Sequence, residues 1–341
     1  MSMTKKAGPI AARHVIWSGW KLAIAVCIAF SLVAIFRLQL QYDASYPAPP
    51  YRPRYRVSHD NFSGRPKIAF LFLARRDLPL DFLWGSFFEN ADVANFSIYV
   101  HSSPGFVLDE SSSRSKFFYG RQLSNSIQVV WGESSMIAAE RLLLEAALED
   151  PANRRFVLLS DSCVPLYNFS YVYNYLMASP RSFVDSFLDG KEHRYNPKMS
   201  PIIPKDRWRK GSQKLQKQHN CIPDEHYVQT LLAMSGLEGE LDRRTLTYTQ
   251  WNISATKMEN KGWHPMTFSY SNATPRQIKE IKSINHIYYE TEFRTEWCRS
   301  NSTFVPCFLF ARKFSRGAAM RLLSEGVVGL FDATAVLSTP P

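Results

Sequence analysis

From Leu22 to Phe36 fifteen residues pass without a charge, between Lys21 and Arg37. With Trp17, Gly19 and Trp20 ahead of them they make about twenty residues, the length a helix needs to cross a hydrocarbon core of about 30 Å. Trp17 and Trp20 suit a membrane interface, and Lys5, Lys6 and Arg13 precede the run with no acidic residue before it. That bias predicts a cytosolic N-terminus and a luminal remainder. A cleaved signal peptide fits less well, because the run is long and no convincing small-x-small cleavage site follows it. The expected organisation is a cytosolic tail at 1–16, a signal anchor at 17–37, a stem at 38–66 rich in proline, and a luminal domain at 67–341.

Six Asn-x-Ser/Thr sequons, at Asn61, Asn95, Asn168, Asn252, Asn272 and Asn301, all follow the apolar run. They agree with a luminal glycoprotein. The net charge of +11 suggests nucleic acid at first sight, yet residues 1–60 hold eight Lys/Arg against Asp43 and Asp60, more than half of the surplus. The remainder is mildly basic, and a luminal domain meets no genome, so no nucleic-acid partner is expected. Of five cysteines, Cys163, Cys221, Cys298 and Cys307 would face an oxidising lumen. Cys298 and Cys307 flank a short loop before an apolar run, and a disulfide between them is the first choice among the pairings. His219, Cys221 and His226 match no familiar zinc spacing, so no metal site is expected.

From Lys67 onward short apolar runs alternate with helical patterns. Strands are predicted at Ile68 to Leu73, Ser97 to His101, Ile127 to Trp131, Phe156 to Ser160 and Ser182 to Phe187. Helices are predicted around Leu80 to Phe88, Ser135 to Leu148 and Ser170 to Met177, and from Thr274 to Ile284. The second carries Met136, Leu143 and Ala147 on one face with Ser134 or Ser135 as cap. The fourth opens with Thr274, Pro275 and Gln277 as cap, first-turn proline and capping-box residue. This order predicts an α/β fold with a mostly parallel sheet, whose ligand sites lie at the carboxyl ends of the strands. No Gly-x-Gly-x-x-Gly and no Walker lysine occurs, so dinucleotide and P-loop chemistry find no support.

Several residues could carry chemistry. Pro223-Asp224-Glu225-His226-Tyr227 places two carboxylates at a helix start, where acids are common for electrostatic reasons alone but where a partly buried carboxylate could act as a general base. Phe308 to Phe314 reads as a strand ending in Arg312 and Lys313, only one of which can face a shared site under strict alternation. Arg243 and Arg244 precede a strand-like run, and two cationic positions of this kind could hold a diphosphate. Trp208, in the basic stretch from Lys205 to Lys217, could stack on a sugar or pack in the core. No Asp-x-Asp occurs, so a divalent cation on a diphosphate has no obvious holder.

At these residues the chain resembles the plant branch of the core-2/I-branching β-1,6-N-acetylglucosaminyltransferase family, the brittle-culm type. The resemblance rests on Lys67 to Leu73, Ser97 to His101, Val130-Trp131-Gly132 with Ala139-Glu140-Arg141, Arg155 to Leu166, Arg194 to Pro197, Trp208 to Gln213, Asp224 to Tyr227, and Phe308 to Phe314. It implies a GT-A-like nucleotide-diphospho-sugar transferase fold and an inverting, metal-independent enzyme without a cofactor. A UDP-sugar would be the donor, giving N-acetylglucosamine or glucuronic acid to a hydroxyl of a galactose-type glycan in the Golgi membrane. By the same resemblance Glu225 is the catalytic base, and Arg244 and Lys313 bind the UDP diphosphate, with Arg243 the alternative to Arg244. Asp161, Trp208 and Lys210 are the candidates for the donor or acceptor pocket. Between Gln213 and Asp224 the chain has ten residues where relatives carry a much longer stretch. The rival reading is therefore a catalytically inactive, membrane-anchored glycan binder or truncated isoform. A glycosidase using Asp161 and Asp185 is a further rival that no spacing favours.

Overall fold

The computed structural model describes residues 62–189, 195–211, 222–251, 265–300 and 303–326, with Trp20, Lys21, Ile24, residues 26–35 and Arg37 near the N-terminus. The chain divides into two compact units, Met1–Phe62 and Ser63–Pro341. In the first, residues 26–35 are helical and exposed. Among the described residues no helix is long and apolar enough to cross a membrane. About a third of the expected 17–37 span and nearly all of the 38–66 stem lie outside the described residues.

The second unit runs β1 (Lys67–Leu73), α1 (Asp81–Phe88), β2 (Phe96–His101), α2 (Ser134–Leu148), β3 (Asn153–Ser160), β4 (Val164–Pro165), α3 (Phe169–Ala178), β5 (Ser182–Phe183), β6 (Phe187–Leu188) and β7 (Arg209–Lys210). There follow α4 (Tyr227–Met234), β8 (Leu241–Asp242), β9 (Thr247–Thr249), α5 (Pro275–Lys282), β10 (His286–Tyr289), β11 (Arg294–Trp297), β12 (Arg299–Ser300), β13 (Thr303–Phe304), β14 (Phe310–Arg312) and α6 (Arg316–Ser324).

The central strand is β1, parallel to β2 on one side and to β3 on the other. Its sequence KIAFLFL is apolar at nearly every position because both faces are covered. Ile68, Phe70 and Phe72 join the larger core, where Phe70 meets Phe88 edge-on at 5.2 Å and Phe72 meets Trp84 at 5.0 Å. Ala69 and Leu71 point the other way, onto Leu143 and Ala147 of α2. A second sheet places β14 between antiparallel β4 and parallel β9. The mixed α/β architecture with a parallel sheet is the predicted one.

Two strand expectations change. Ile127 to Trp131 is not a strand: both sides of β1 are taken by β2 and β3, and beside β2 it is Gln122, in an isolated bridge to Val100, that pairs in place of this run. The run expected at Ser182 to Phe187 splits into β5 and β6, which pair with β8 and β7 respectively. Thr274 caps α5 as predicted, accepting from Gln277 N at 3.2 Å. No side chain caps α2: its N-cap is Glu133, and Ser135 instead accepts from Val130 N at 2.9 Å. Cys298 and Cys307 form the expected disulfide, with Cα atoms 5.2 Å apart. Cys163 is a buried free thiol, and Cys221 lies outside the described residues.

Candidate functional site

A cleft of about 540 Å³ opens where Leu73 ends β1, Leu158 to Ser160 end β3 and Arg312 ends β14. Parallel strands stop together here, and the loops that follow them are free to diverge and leave a crevice. The opposite wall is the turn carrying Asp224 and Glu225, with Glu140 from α2 beside it.

The turn is a 3₁₀ segment, Pro223–Glu225, that comes before α4. Thus the two acids do not sit in the first turn of that helix, and complementing its dipole does not account for them. Backbone bonds pin the turn to the strand before it: Gly211 N donates to Glu225 O at 2.8 Å, and the His226 ring bonds Arg209 O at 2.8 Å. The Glu225 carboxylate is 19% exposed and lies 3.4 Å from the ammonium of Lys210, which is 2% exposed. It therefore faces the cleft with one edge held by an ion pair.

The cleft also gathers Glu140, Asp224, Arg312 and Lys313. Burial, and secondarily the negative charge of Asp224, pushes the Glu140 carboxyl up to about 7. Burial also raises Asp224, against a backbone hydrogen bond and the attraction of Arg312. Lys313 is pulled down by burial first and then by the Arg312 charge, with Asp161 pulling it back. Among the described residues no three His, Cys, Asp or Glu side chains converge as a metal set would. The groups placed to meet a phosphate are the two cations.

Both Arg312 and Lys313 line the cleft, against the expectation that only one could. Strand geometry ends at Arg312, so alternation does not govern the residue after it. Arg244 is not among the lining residues. It is 3% exposed, donates to Cys307 O at 2.9 Å and to the Tyr175 hydroxyl at 2.8 Å, and its guanidinium lies over Phe183. Arg243 is spent on Glu292 and Ser186 O. The residues that reach the cleft from this segment are Thr245 and Thr247 to Thr249.

Asp161 pairs with Arg75 at 3.0 Å and does not line the cleft, although its charge reaches Lys313. Trp208 is a packing residue: it is 5% exposed, stacks on His226 at 4.3 Å and meets Tyr195 edge-on. Its indole face is covered, so no sugar can stack there. Lys210 is not a lining residue of the cleft and meets it through its ion pair with Glu225. Of the sequons, Asn95 and Asn168 are half-buried and Asn272 is exposed. The Asn168 side chain caps α3 at Tyr171 N, 2.9 Å. Asn61, Asn252 and Asn301 lie outside the described residues. Glu140 stands in one of the segments that carry the resemblance but is given no role there, and its spacing from Met136 and Leu143 places all three on the inward face of α2.

Residues 68–215 and 212–282 match the family profile described as Core-2/I-Branching enzyme. The chain is also 51% identical, over 316 residues, to a rice (Oryza sativa subsp. japonica) protein called Glycosyltransferase BC10, an alignment covering 80% of this chain and 79% of that one. The two profile stretches meet at residues 212–215, where the short connection to Asp224 begins. On the extent of both matches, the chain belongs to the core-2/I-branching enzyme family, a family of glycosyltransferases.

Proposed function

We propose that this chain is an inverting glycosyltransferase that moves a sugar, N-acetylglucosamine or glucuronic acid, from a UDP donor to a hydroxyl of a galactose-type glycan. The reading is carried by one juxtaposition: Glu225, distant in sequence from Lys313, faces the same cleft at the strand ends. Glu225 takes the proton of the acceptor hydroxyl while that oxygen bonds to the anomeric carbon. The bond from that carbon to UDP breaks on the opposite face, and the electron pair leaves with the nucleotide. Lys313 meets the charge growing on the diphosphate, an electrostatic role worth several kcal/mol in a preorganised site. Such a mechanism runs with side-chain cations and needs no metal. Anchoring by the apolar run at 17–37, with the catalytic unit in the Golgi lumen, is the topology that the flanking charges and the sequons favour.

Glu225→Gln in the full chain is expected to lower transfer by at least about a thousandfold while UDP affinity stays within about twofold, since it removes only a proton acceptor. A donor screen on the same preparations reads this, and turnover retained in the variant removes Glu225 from the role. The second reading is a glycan binder without turnover. The ten-residue connection ahead of Asp224 and the Lys210 ammonium on Glu225 favour it. Neither UDP-sugar hydrolysis nor transfer would then be found in the wild-type protein, with glycan binding intact.

A further inference from the structure

Arg312 and Lys313 are consecutive and both line the cleft, and burial together with the Arg312 charge weakens the hold of Lys313 on its proton. The Arg312 Nε is buried and meets no hydrogen-bond partner among the described residues. Each acid nearby is otherwise engaged or out of contact. Asp161 is held by Arg75 and Glu225 by Lys210. Asp224 attracts Arg312 without a hydrogen bond, and its own Oδ1 is buried and unpartnered.

Two adjoining, half-buried cations with no ion-pair contact among the described residues are costly, because desolvation and mutual repulsion act in the same direction. A ligand with two neighbouring negative groups relieves both. A guanidinium fork engages one phosphate through paired N–H donors, and an ammonium beside it acts as a point charge on the next. The buried Nε is one of the donors such a fork uses. Arg244 cannot contribute in this way, since its fork is committed to Cys307 O and the Tyr175 hydroxyl.

We infer that Arg312 is the second diphosphate-binding residue of the cleft, acting beside Lys313, and that Arg244 instead braces the chain behind it. This rests on the UDP-donor reading above. Arg75 is the natural control: it lies near enough to act on Lys313, is 90% exposed, and does not line the cleft.

Binding of UDP and of uridine to the full chain is measured by calorimetry and ligand-observed NMR at one ionic strength, for wild type, Arg312→Gln, Arg312→Lys and Arg75→Gln. Loss of a charge-assisted contact predicts UDP affinity about 30-fold weaker in Arg312→Gln, with uridine unchanged within about twofold. Arg312→Lys, which keeps the charge and loses the fork, falls between the two and serves as the test if the glutamine variant does not fold. Arg75→Gln stays within about threefold of wild type, as expected for a screened charge. The inference is overturned if Arg312→Gln binds UDP as wild type does, if uridine weakens equally, or if Arg75→Gln loses as much. A wild type that binds UDP while Arg312→Gln is unaffected sinks only the Arg312 assignment. A wild type that binds no UDP sinks the donor reading with it.

Discussion

Glu140 shows what a single side chain does once folding has chosen its neighbours. In the folded protein it holds its proton up to about 7, whereas its ordinary value is 4.5. Folding therefore takes up a proton between those values. The stability that neutral Glu140 contributes is complete below about pH 4.5 and is lost as pH rises through 7, a difference of about 3 kcal/mol for a shift of this size. Glu140→Gln should flatten that part of the stability profile, as read by urea unfolding between pH 4.5 and 8. An unchanged slope in the variant would place the titration elsewhere. Gly211 works by an opposite logic, through what it lacks: a Cβ there would stand 2.7 Å from Asp185 O. Any side chain would press on that carbonyl and on the Gln229 amide of α4, and so disturb the position from which the Gly211 N–H bonds Glu225 O.

At the scale of elements, local signals were reliable where the element depends on local chemistry. Thr274, Pro275 and Gln277 announced α5 because a cap, a first-turn proline and a helix are neighbours in sequence. The apolar run at Ile127 to Trp131 misled because a strand needs a pairing partner, and which segment pairs is decided by the sheet and not by the run itself. The disulfide matters at this scale too. It ties the end of β11 to the approach to β14, the strand that delivers Arg312 and Lys313, and Cys307 O also receives Arg244. Closing so short a loop is worth about 2–3 kcal/mol through the entropy of the unfolded chain. Replacing both cysteines by alanine should lower unfolding free energy by that amount in denaturant melts. UDP affinity should fall as well if β14 loses its register.

For the molecule as a whole, the proposed luminal topology makes a direct prediction. Expressed in a eukaryotic secretory pathway, the full chain should lose mass on enzymatic removal of N-glycans. Among the described sequons Asn272 is the exposed one, so Asn272→Gln should remove one glycan from the ladder. A chain with no glycan at all would contradict the luminal placement. The cleft itself is a whole-molecule object. It joins Glu140 on α2, Glu225 on a turn and Lys313 past the last strand, and it exists because parallel strands end together and their loops part.

Periodicity, motif and family resemblance together were enough for the family, the α/β class, the first strand, the main helices, the Cys298–Cys307 disulfide, and Glu225 and Lys313 as residues lining one cleft. The class and the helices follow from apolar alternation and caps, which act within a few residues of one another, whereas the family and the pairing of Glu225 with Lys313 came from the resemblance of whole segments. Which arginine faces the cleft was decided only in three dimensions. Arg243, Arg244 and Arg312 are chemically identical, and Arg244 is turned inward by Tyr175 and Cys307 while Arg312, at a strand end, keeps a buried Nε without a hydrogen-bond partner among the described residues. The same holds for Trp208, consumed by His226, and for Glu140, made a weak acid by burial beside Asp224. Contacts between residues far apart in sequence settle such matters, because desolvation and pairing depend on what surrounds a group.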